Sequence, residues 1–323
     1  MLIIYYEIIV NIIAFLMYGI DKFLAVKQKF RIPEARLIFI AFIGGAFGAF
    51  MGMKLFHHKT LKSKFRLVPF FLVLQICLAG FCLYQNLHIV VTEYDYASEK
   101  TSSSLRVVQI SDLHNQFFGF KQRYLLDKIE ELQPDIITVT GDVLDSNHTN
   151  YTLAYDFFEG AVDIAPVYYI TGNHEFWLKK EAFDEFVNDI EGLGVVFADD
   201  TAFDMGGYTL VGLSDKSLDD NTLSELVSDK EKFVLLLAHE PKYHDNYKNC
   251  ADLALTGHVH GGQFRLPGKG GLISPDFEFF PELTEGAHEY GNMTMIISRG
   301  LGNSVVPLRL FNYPEIVAVD INK

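Results

Sequence analysis

The sequence predicts a layered α/β domain preceded by a helical membrane domain, and three observations carry that prediction. Five short apolar runs each end in a residue able to hold a metal: 107–111 before Asp112-Leu113-His114, 136–141 before Asp142, 167–172 before Asn173-His174, 234–238 before His239, and 253–257 before His258-Val259-His260. Segments with helical spacing lie between several of these runs. The first 85 residues, by contrast, are basic and largely apolar.

Runs of five or six residues rich in Val, Ile and Leu, without strict polar alternation, read as strands buried on both faces. Their C-terminal ends are where open α/β sheets keep ligands. Between them, 122–133 places Tyr124, Leu125, Ile129 and Leu132 on one side of a helix, and 179–193 does the same with Phe183, Phe186, Val187 and Ile190. Alternating strands and helices describe a layered α/β domain. Residues 293–298 and 315–321 are further strands.

The residues at the strand ends suit one chemistry. Asp oxygens and His nitrogens are the usual ligands of Mn, Fe or Zn, and six of them plus the Asn173 amide oxygen suffice for two coordination shells completed by water. A carboxylate such as Asp142 can bridge two ions about 3.5–4 Å apart, which together activate water and stabilise an in-line displacement at phosphorus. A lone Asp-x-His or Gly-Asp is common by chance. Gly257-His258-Val259-His260-Gly261-Gly262 is stronger, because His at i and i+2 share one face of an extended segment and the glycines free the backbone to turn. His239 alone reads as a core or surface histidine; its place after a fourth apolar run makes it a candidate ligand.

In this order the five segments resemble the calcineurin-like metallophosphoesterase superfamily: Asp112-x-His114, Gly141-Asp142, Gly172-Asn173-His174-Glu175, His239 and Gly257-His258-x-His260 cover its motif set over residues 105–260. The resemblance implies a four-layer α/β/β/α sandwich and two divalent ions. It assigns Asp112, His114, Asp142 and His260 to one ion, and Asp142, Asn173, His239 and His258 to the other. It makes His174 the residue that contacts the scissile phosphate and protonates the leaving group.

The tail narrows the likeness to the bacterial membrane-associated branch, through Gly261-Gly262-Gln263, Arg265-Leu266-Pro267, Ser298-Arg299-Gly300-Leu301-Gly302, Pro307-Leu308-Arg309-Leu310-Phe311 and Pro314-Glu315-Ile316, with Ser111 to Asn115 fitting as well. That branch includes phosphodiesterases of broad specificity and enzymes that cleave the pyrophosphate of UDP-2,3-diacylglucosamine. Asn115, Arg299 and Arg309 are candidate substrate contacts. Each arginine has a structural reading that is slightly the better one.

Residues 1–85 hold ten Lys or Arg against three acids, a net +7; with the whole chain at −14, residues 86–323 carry −21. Such a division marks two parts in two environments. Within the basic part, 2–20, 37–53 and 67–84 contain only Glu7 as a charged residue, and each is near the length that crosses a bilayer's hydrocarbon. A cleaved signal peptide is disfavoured, since the first stretch lacks a basic start and an Ala-x-Ala-like site. Gly44, Gly48 and Gly52 form a small-residue stripe against which another helix can pack, or mark a re-entrant turn. Gly19-Ile20-Asp21-Lys22, Arg31-Ile32-Pro33-Glu34, Gly44-Gly45 and His58-Lys59-Thr60 resemble a small membrane-domain family of unknown function. Asp21, Lys22, Glu34, His57 and His58 are either a polar site at the membrane edge or, more simply, snorkelling anchors.

Both basic loops, 21–36 and 54–66, favour the cytoplasm. A re-entrant hairpin in the middle stretch satisfies both, and the third stretch then leads out, so the expectation is a multi-pass bacterial membrane protein with an extracytoplasmic catalytic domain. The expected boundaries are 1–85 for the membrane domain, 86–104 for a polar linker and 105–323 for the hydrolase. Three cysteines give no disulfide framework. The expected function is a phosphodiester or pyrophosphate hydrolase acting on a small-molecule or lipid-linked substrate, with nucleotide phosphodiesterase or phosphomonoesterase as the alternative and a non-catalytic membrane sensor least favoured. A −21 domain without a basic patch argues against nucleic acid. Oligomeric state is open.

Overall fold

The computed structural model describes residues 2–101, 104–218, 221–275, 278–303 and 308–323. The chain divides into two compact units, Met1–Leu83 and Tyr84–Lys323. Ser102 and Ser103 of the expected linker, and Pro307 of the tail motif, lie outside the described residues.

The first unit is helical: α1 (Leu2–Val26), α2 (Glu34–Ile40), α3 (Ala46–Leu55) and α4 (Leu67–Leu87). Three segments, Tyr5–Val26, Glu34–Leu55 and Ser63–Leu87, are long and apolar enough to cross a membrane. The middle one does not run straight. Its helix breaks at Ile43 and Gly44, where Gly44 takes φ 124°, a value open to glycine and costly for other residues. On α2 the Leu37 carbonyl accepts from Tyr18 Oη at 3.2 Å; at the break the Gly44 carbonyl accepts from Asn11 Nδ2 at 3.1 Å. Gly48 N then donates to Asn11 Oδ1 at 2.8 Å, Gly52 packs on Tyr18, and His58 reaches Asp21. The partners on α1 thus descend from residue 18 to 11 and climb back to 21, which is the path of a hairpin. Its glycine stripe faces α1, and Gln75 of α4 donates to the Ala41 carbonyl at 2.9 Å, satisfying a backbone group near the break.

The hairpin brings the two basic loops together. Asp21, fully buried, accepts from His58 Nε2 at 2.7 Å, Ile32 N at 2.9 Å and Arg31 Nη2 at 3.2 Å, with Lys59 Nζ at 3.5 Å. Glu34 accepts from Lys59 at 2.8 Å and Lys62 at 2.6 Å. Of the polar residues singled out in the sequence, Asp21, Glu34 and His58 share this cluster, while His57 turns to the Lys54 carbonyl.

The second unit contains, in chain order, β1 (Val90–Ala97), β2 (Leu105–Ile110), α5 (Arg123–Glu131), β3 (Ile136–Thr140), α6 (Tyr151–Val162), β4 (Val167–Ile170), α7 (Asn173–Phe176), α8 (Lys180–Leu193), β5 (Val196–Phe197), β6 (Thr201–Asp204), β7 (Tyr208–Gly212), α9 (Thr222–Leu226), β8 (Phe233–Leu237), α10 (His244–Tyr247), β9 (Leu253–Thr256), β10 (Arg265–Leu266), β11 (Gly270–Gly271), β12 (Gly286–Tyr290), β13 (Met293–Ile297) and β14 (Glu315–Asn322). One sheet has the order β1-β14-β2-β3-β4-β5, a second β12-β13-β9-β8-β7-β6, and β10 pairs with β11. Strands β2 to β5 are parallel, as are β7, β8 and β9.

Alternate residues of each strand point to opposite faces, and here both faces are covered. Val108, Ile110, Ile137, Val139 and Tyr169 pack with Leu125, Phe158 and Ile190 of the helices. Val107, Ile136 and Ile170 pack with Leu235, Leu237, Leu253 and Leu255 of the second sheet. The outer face of that sheet carries Val211, Leu236 and Met295 against Leu223 and Tyr247. This is the expected four-layer α/β/β/α sandwich, and it explains why the strand runs lack polar alternation: a fully buried Leu or Ile contributes about 1.5–3 kcal/mol on either face.

The linker expectation needs correction. Val90–Ala97, inside the expected 86–104 linker, is strand β1, paired residue for residue with β14. The charges of Glu93 and Asp95 disguised an alternating edge strand in which Tyr94 and Tyr96 pack on the intersheet core.

Candidate metal centre

The seven expected ligands converge at the C-terminal ends of β2, β3 and β4 of one sheet and β8 and β9 of the other. Asp112, His114, Asp142, His239, His258 and His260 are all buried. The loops that carry them are tightly wound: Asp112, His114, Asp142, His258 and His260 all adopt positive φ, between 44° and 68°. Side chains other than glycine visit this region rarely and at a cost. Bonds between loops hold them there: Asp112 N donates to Gly141 O, His114 N to Asp142 O, and His258 N to the Asp112 carboxylate at 3.0 Å. Gly257 is required for closeness, since a Cβ there would lie 1.8 Å from Ser111 Oγ.

The ligand atoms form two groups that share Asp142. In the first, His114 Nε2 lies 3.1 Å from His260 Nε2, and His260 Nε2 lies 3.7 Å from Asp112 Oδ1. In the second, Asn173 Oδ1 lies 3.0 Å from His258 Nδ1 and 3.1 Å from His239 Nε2. Asp142 Oδ2 is 3.4 Å from both His114 Nε2 and His239 Nε2.

These contacts fit a metal better than they fit one another. Two imidazole nitrogens 3.1 Å apart can share one proton between neutral rings, whereas with each proton on Nδ1 both Nε2 lone pairs are left for a cation, and charging either ring is opposed. Burial, first of all, lowers the His114 pKa to about 3, and burial followed by the Arg309 charge holds His260 well below the usual range. Neutral rings aim lone pairs at a common point. The second group is set up by its outer contacts: His239 Nδ1 donates to the Thr140 carbonyl at 2.8 Å, which leaves Nε2 as the ligating atom. The residues present therefore suit divalent ions.

His174 stands beside this centre. Its N–H donates to Asp142 Oδ1 at 2.8 Å, and its Nδ1 is 3.3 Å from Asp145 Oδ1 and 3.1 Å from Ser146 Oγ. Burial lowers its pKa, but the Asp145 hydrogen bond and the Asp142 and Asp145 charges outweigh it, so the group titrates above its ordinary value. Asp145, held down to about 2 against its own burial by the His174 hydrogen bond, stays ionised. Asp145 is a functional candidate the sequence reading missed, although its place three residues after Asp142 in Gly141-Asp142-Val143-Leu144-Asp145 marked it. Glu175 is a second. Its buried carboxylate accepts from the amides of Asp142, Gly172 and Leu144 at 2.9–3.0 Å and so ties two ligand loops together.

The three candidate substrate contacts are engaged elsewhere. Asn115 Oδ1 accepts from Asp145 N and Asn150 N, bracing the loop under His174. Arg299 pairs with Glu315 at 2.8 Å and Glu285 at 3.4 Å. Arg309 is fully buried and donates to the Arg299 and Gly302 carbonyls. Both guanidiniums are held in this structure by carbonyls and carboxylates, with Arg309 Nε buried and without a hydrogen-bond partner among the described residues.

Residues 105–262 match the family described as calcineurin-like phosphoesterase, and residues 11–65 match a family described as a protein of unknown function, DUF1294. The chain is 30% identical over 269 residues to the uncharacterized metallophosphoesterase YkuE of Bacillus subtilis strain 168, covering 73% of this chain and 87% of that protein. It is 26% identical to phosphodiesterase YaeI of Escherichia coli K12, over 68% of this chain and 83% of that one. Its N-terminal part is 42% identical over 79 residues to the uncharacterized protein YsdA of Bacillus subtilis strain 168, 24% of this chain and 89% of the relative.

Proposed function

The chain belongs to the calcineurin-like metallophosphoesterases, hydrolases of phosphoester bonds, and from that premise we propose that it is a membrane-anchored enzyme that holds two divalent ions and cleaves a phosphodiester or pyrophosphate bond. The substrate class is a lipid-linked or envelope metabolite, of which UDP-2,3-diacylglucosamine is the type. The observation that carries the reading is Asp142 Oδ2, equidistant at 3.4 Å from a histidine of each ligand group.

Asp112, His114, Asp142 and His260 would hold one ion, and Asp142, Asn173, His239 and His258 the other. When bound, Mn, Fe or Zn supplies Lewis acidity toward the phosphoryl oxygens and a nucleophile at neutral pH. The chain's own residues do the rest. His174, kept protonated by Asp145, gives its proton to the departing oxygen as the phosphorus–oxygen bond breaks, and water supplies the hydroxyl that remains on phosphorus. Asp145 returns the imidazole to one orientation, and Glu175 keeps the Asp142 and Asn173 loops in register.

The test is a comparison of turnover on a phosphomonoester, an activated phosphodiester and UDP-2,3-diacylglucosamine with manganese supplied. Diester or pyrophosphate turnover is expected to exceed monoester turnover; the reverse order overturns the preference.

For the membrane part we propose two full spans, α1 and α4, with a re-entrant hairpin between them. The clustering of both basic loops around Asp21 and Glu34 supports this. Basic loops facing the cytoplasm put the hydrolase on the opposite side. A C-terminal alkaline phosphatase fusion is expected to be active and a C-terminal fluorescent-protein fusion dark; the opposite pattern overturns the topology.

A further inference from the structure

Trp177 is the chain's single tryptophan and is 65% exposed. Its ring centroid lies 4.8 Å from that of His174, whose other neighbour is the metal-ligand candidate His114 at 4.5 Å. The Nδ1 edge of His174 is turned to Asp145 and Ser146, so a proton given to a leaving group comes from Nε2. The backbone under the indole belongs to the turn that carries Asn173 and His174: Trp177 N donates to His174 O at 3.2 Å. An exposed aromatic ring thus borders the imidazole.

We propose that Trp177 is the platform for the leaving group, and that this group bears a ring with a face that can stack on the indole, a nucleoside or glycosyl unit, close to the departing oxygen. The inference rests on the phosphoesterase reading of the site. An oxygen protonated by His174 lies against an imidazole whose centroid is 4.8 Å from that of the indole, so the substituent it carries has the indole within reach. A π-face gains from an aromatic ring or the C–H face of a sugar, and an open-chain polyol offers it no matching face.

The experiment uses the full chain in neutral detergent, loaded with zinc, which does not quench indole emission. Trp177 fluorescence and calorimetry are followed during titration with inorganic phosphate, glycerol 1-phosphate, glucose 1-phosphate and uridine 5′-monophosphate. One or both ring-bearing phosphates are expected to alter the emission and to bind about tenfold more tightly than glycerol 1-phosphate, and which of them does so distinguishes a glycosyl from a nucleoside group. In Trp177→Ala, read by calorimetry, that preference disappears while the affinity for inorganic phosphate stays; Trp177→Phe keeps part of it. Equal affinities in the wild type, or a preference that survives Trp177→Ala, overturn the proposal. Failure of inorganic phosphate to bind at all overturns the underlying phosphoesterase reading instead.

Discussion

The two units bury polar groups by opposite rules. Around Asp21 in the first unit every contact pairs unlike charge or donor with acceptor: imidazole, guanidinium, ammonium and amide N–H surround one carboxylate. Around Asp142 in the second, like meets like, with imidazole nitrogens facing each other at 3.1 and 3.2 Å and an amide oxygen close to two of them. The first arrangement is closed on itself. The second leaves lone pairs that divalent cations would satisfy, and that difference separates a self-contained clasp from a candidate metal centre.

The sharpest way to break the comparison is at its two carboxylates. Asp142→Ala removes the atom common to both ligand groups and is expected to lower turnover of an activated diester by about 10³-fold or more, with metal content measured on the folded protein falling at both sites. Normal turnover by a folded Asp142→Ala protein would refute its bridging role. Asp21→Ala leaves His58 buried without its carboxylate and Lys59 with Glu34 alone, for which about 3–5 kcal/mol of destabilisation is expected. Denaturation of the full chain in detergent, with and without chelator, separates the two: the Asp21→Ala loss is independent of metal, while chelation lowers the stability of the wild type.

A finer probe uses proton affinity. His174 titrates above its ordinary value, so its acid form persists to higher pH and turnover of a diester with a poor leaving group declines as pH rises through that raised pKa. Asp145→Asn withdraws a cause of the increase; the alkaline limb is expected to move to lower pH, and the rate to fall by about 10²-fold. With a nitrophenolate leaving group, which needs no proton, the limb should vanish from the pH–rate profile. The smallest effect is expected at Asn115→Ala, which removes bracing hydrogen bonds worth about 1 kcal/mol each; KM should stay near the wild-type value, and a large rise would restore Asn115 as a substrate contact.

The same contrast governs what could be read from sequence. The strand-end ligands were legible because each terminates an apolar run, and burial of both faces leaves such runs uninterrupted. The β1 strand was not, since an edge strand carries alternate charges and Glu93 and Asp95 imitate a linker. Arg299 and Arg309 look like phosphate clamps in one dimension, yet their partners Glu285, Glu315 and the Gly302 carbonyl are set by loop paths that no spacing rule gives. The hairpin was legible indirectly, through the basic loops at its two ends and the glycines of the middle stretch. Asp145 was available from its spacing to Asp142, and its meaning appears only once His174 is placed beside it.

The break at Gly44 also bears on how the chain is made. Glu34–Leu55 is long and apolar enough for an insertion machinery to pass it across the bilayer as one helix, and each added crossing reverses the side on which everything downstream emerges. In the folded segment Asp21 accepts from both Ile32 N and His58, so the segment's two ends are held at one carboxylate. Asp21 is thus the clasp at the open end of the hairpin, where the backbone entering the segment and the histidine leaving it meet on one carboxylate.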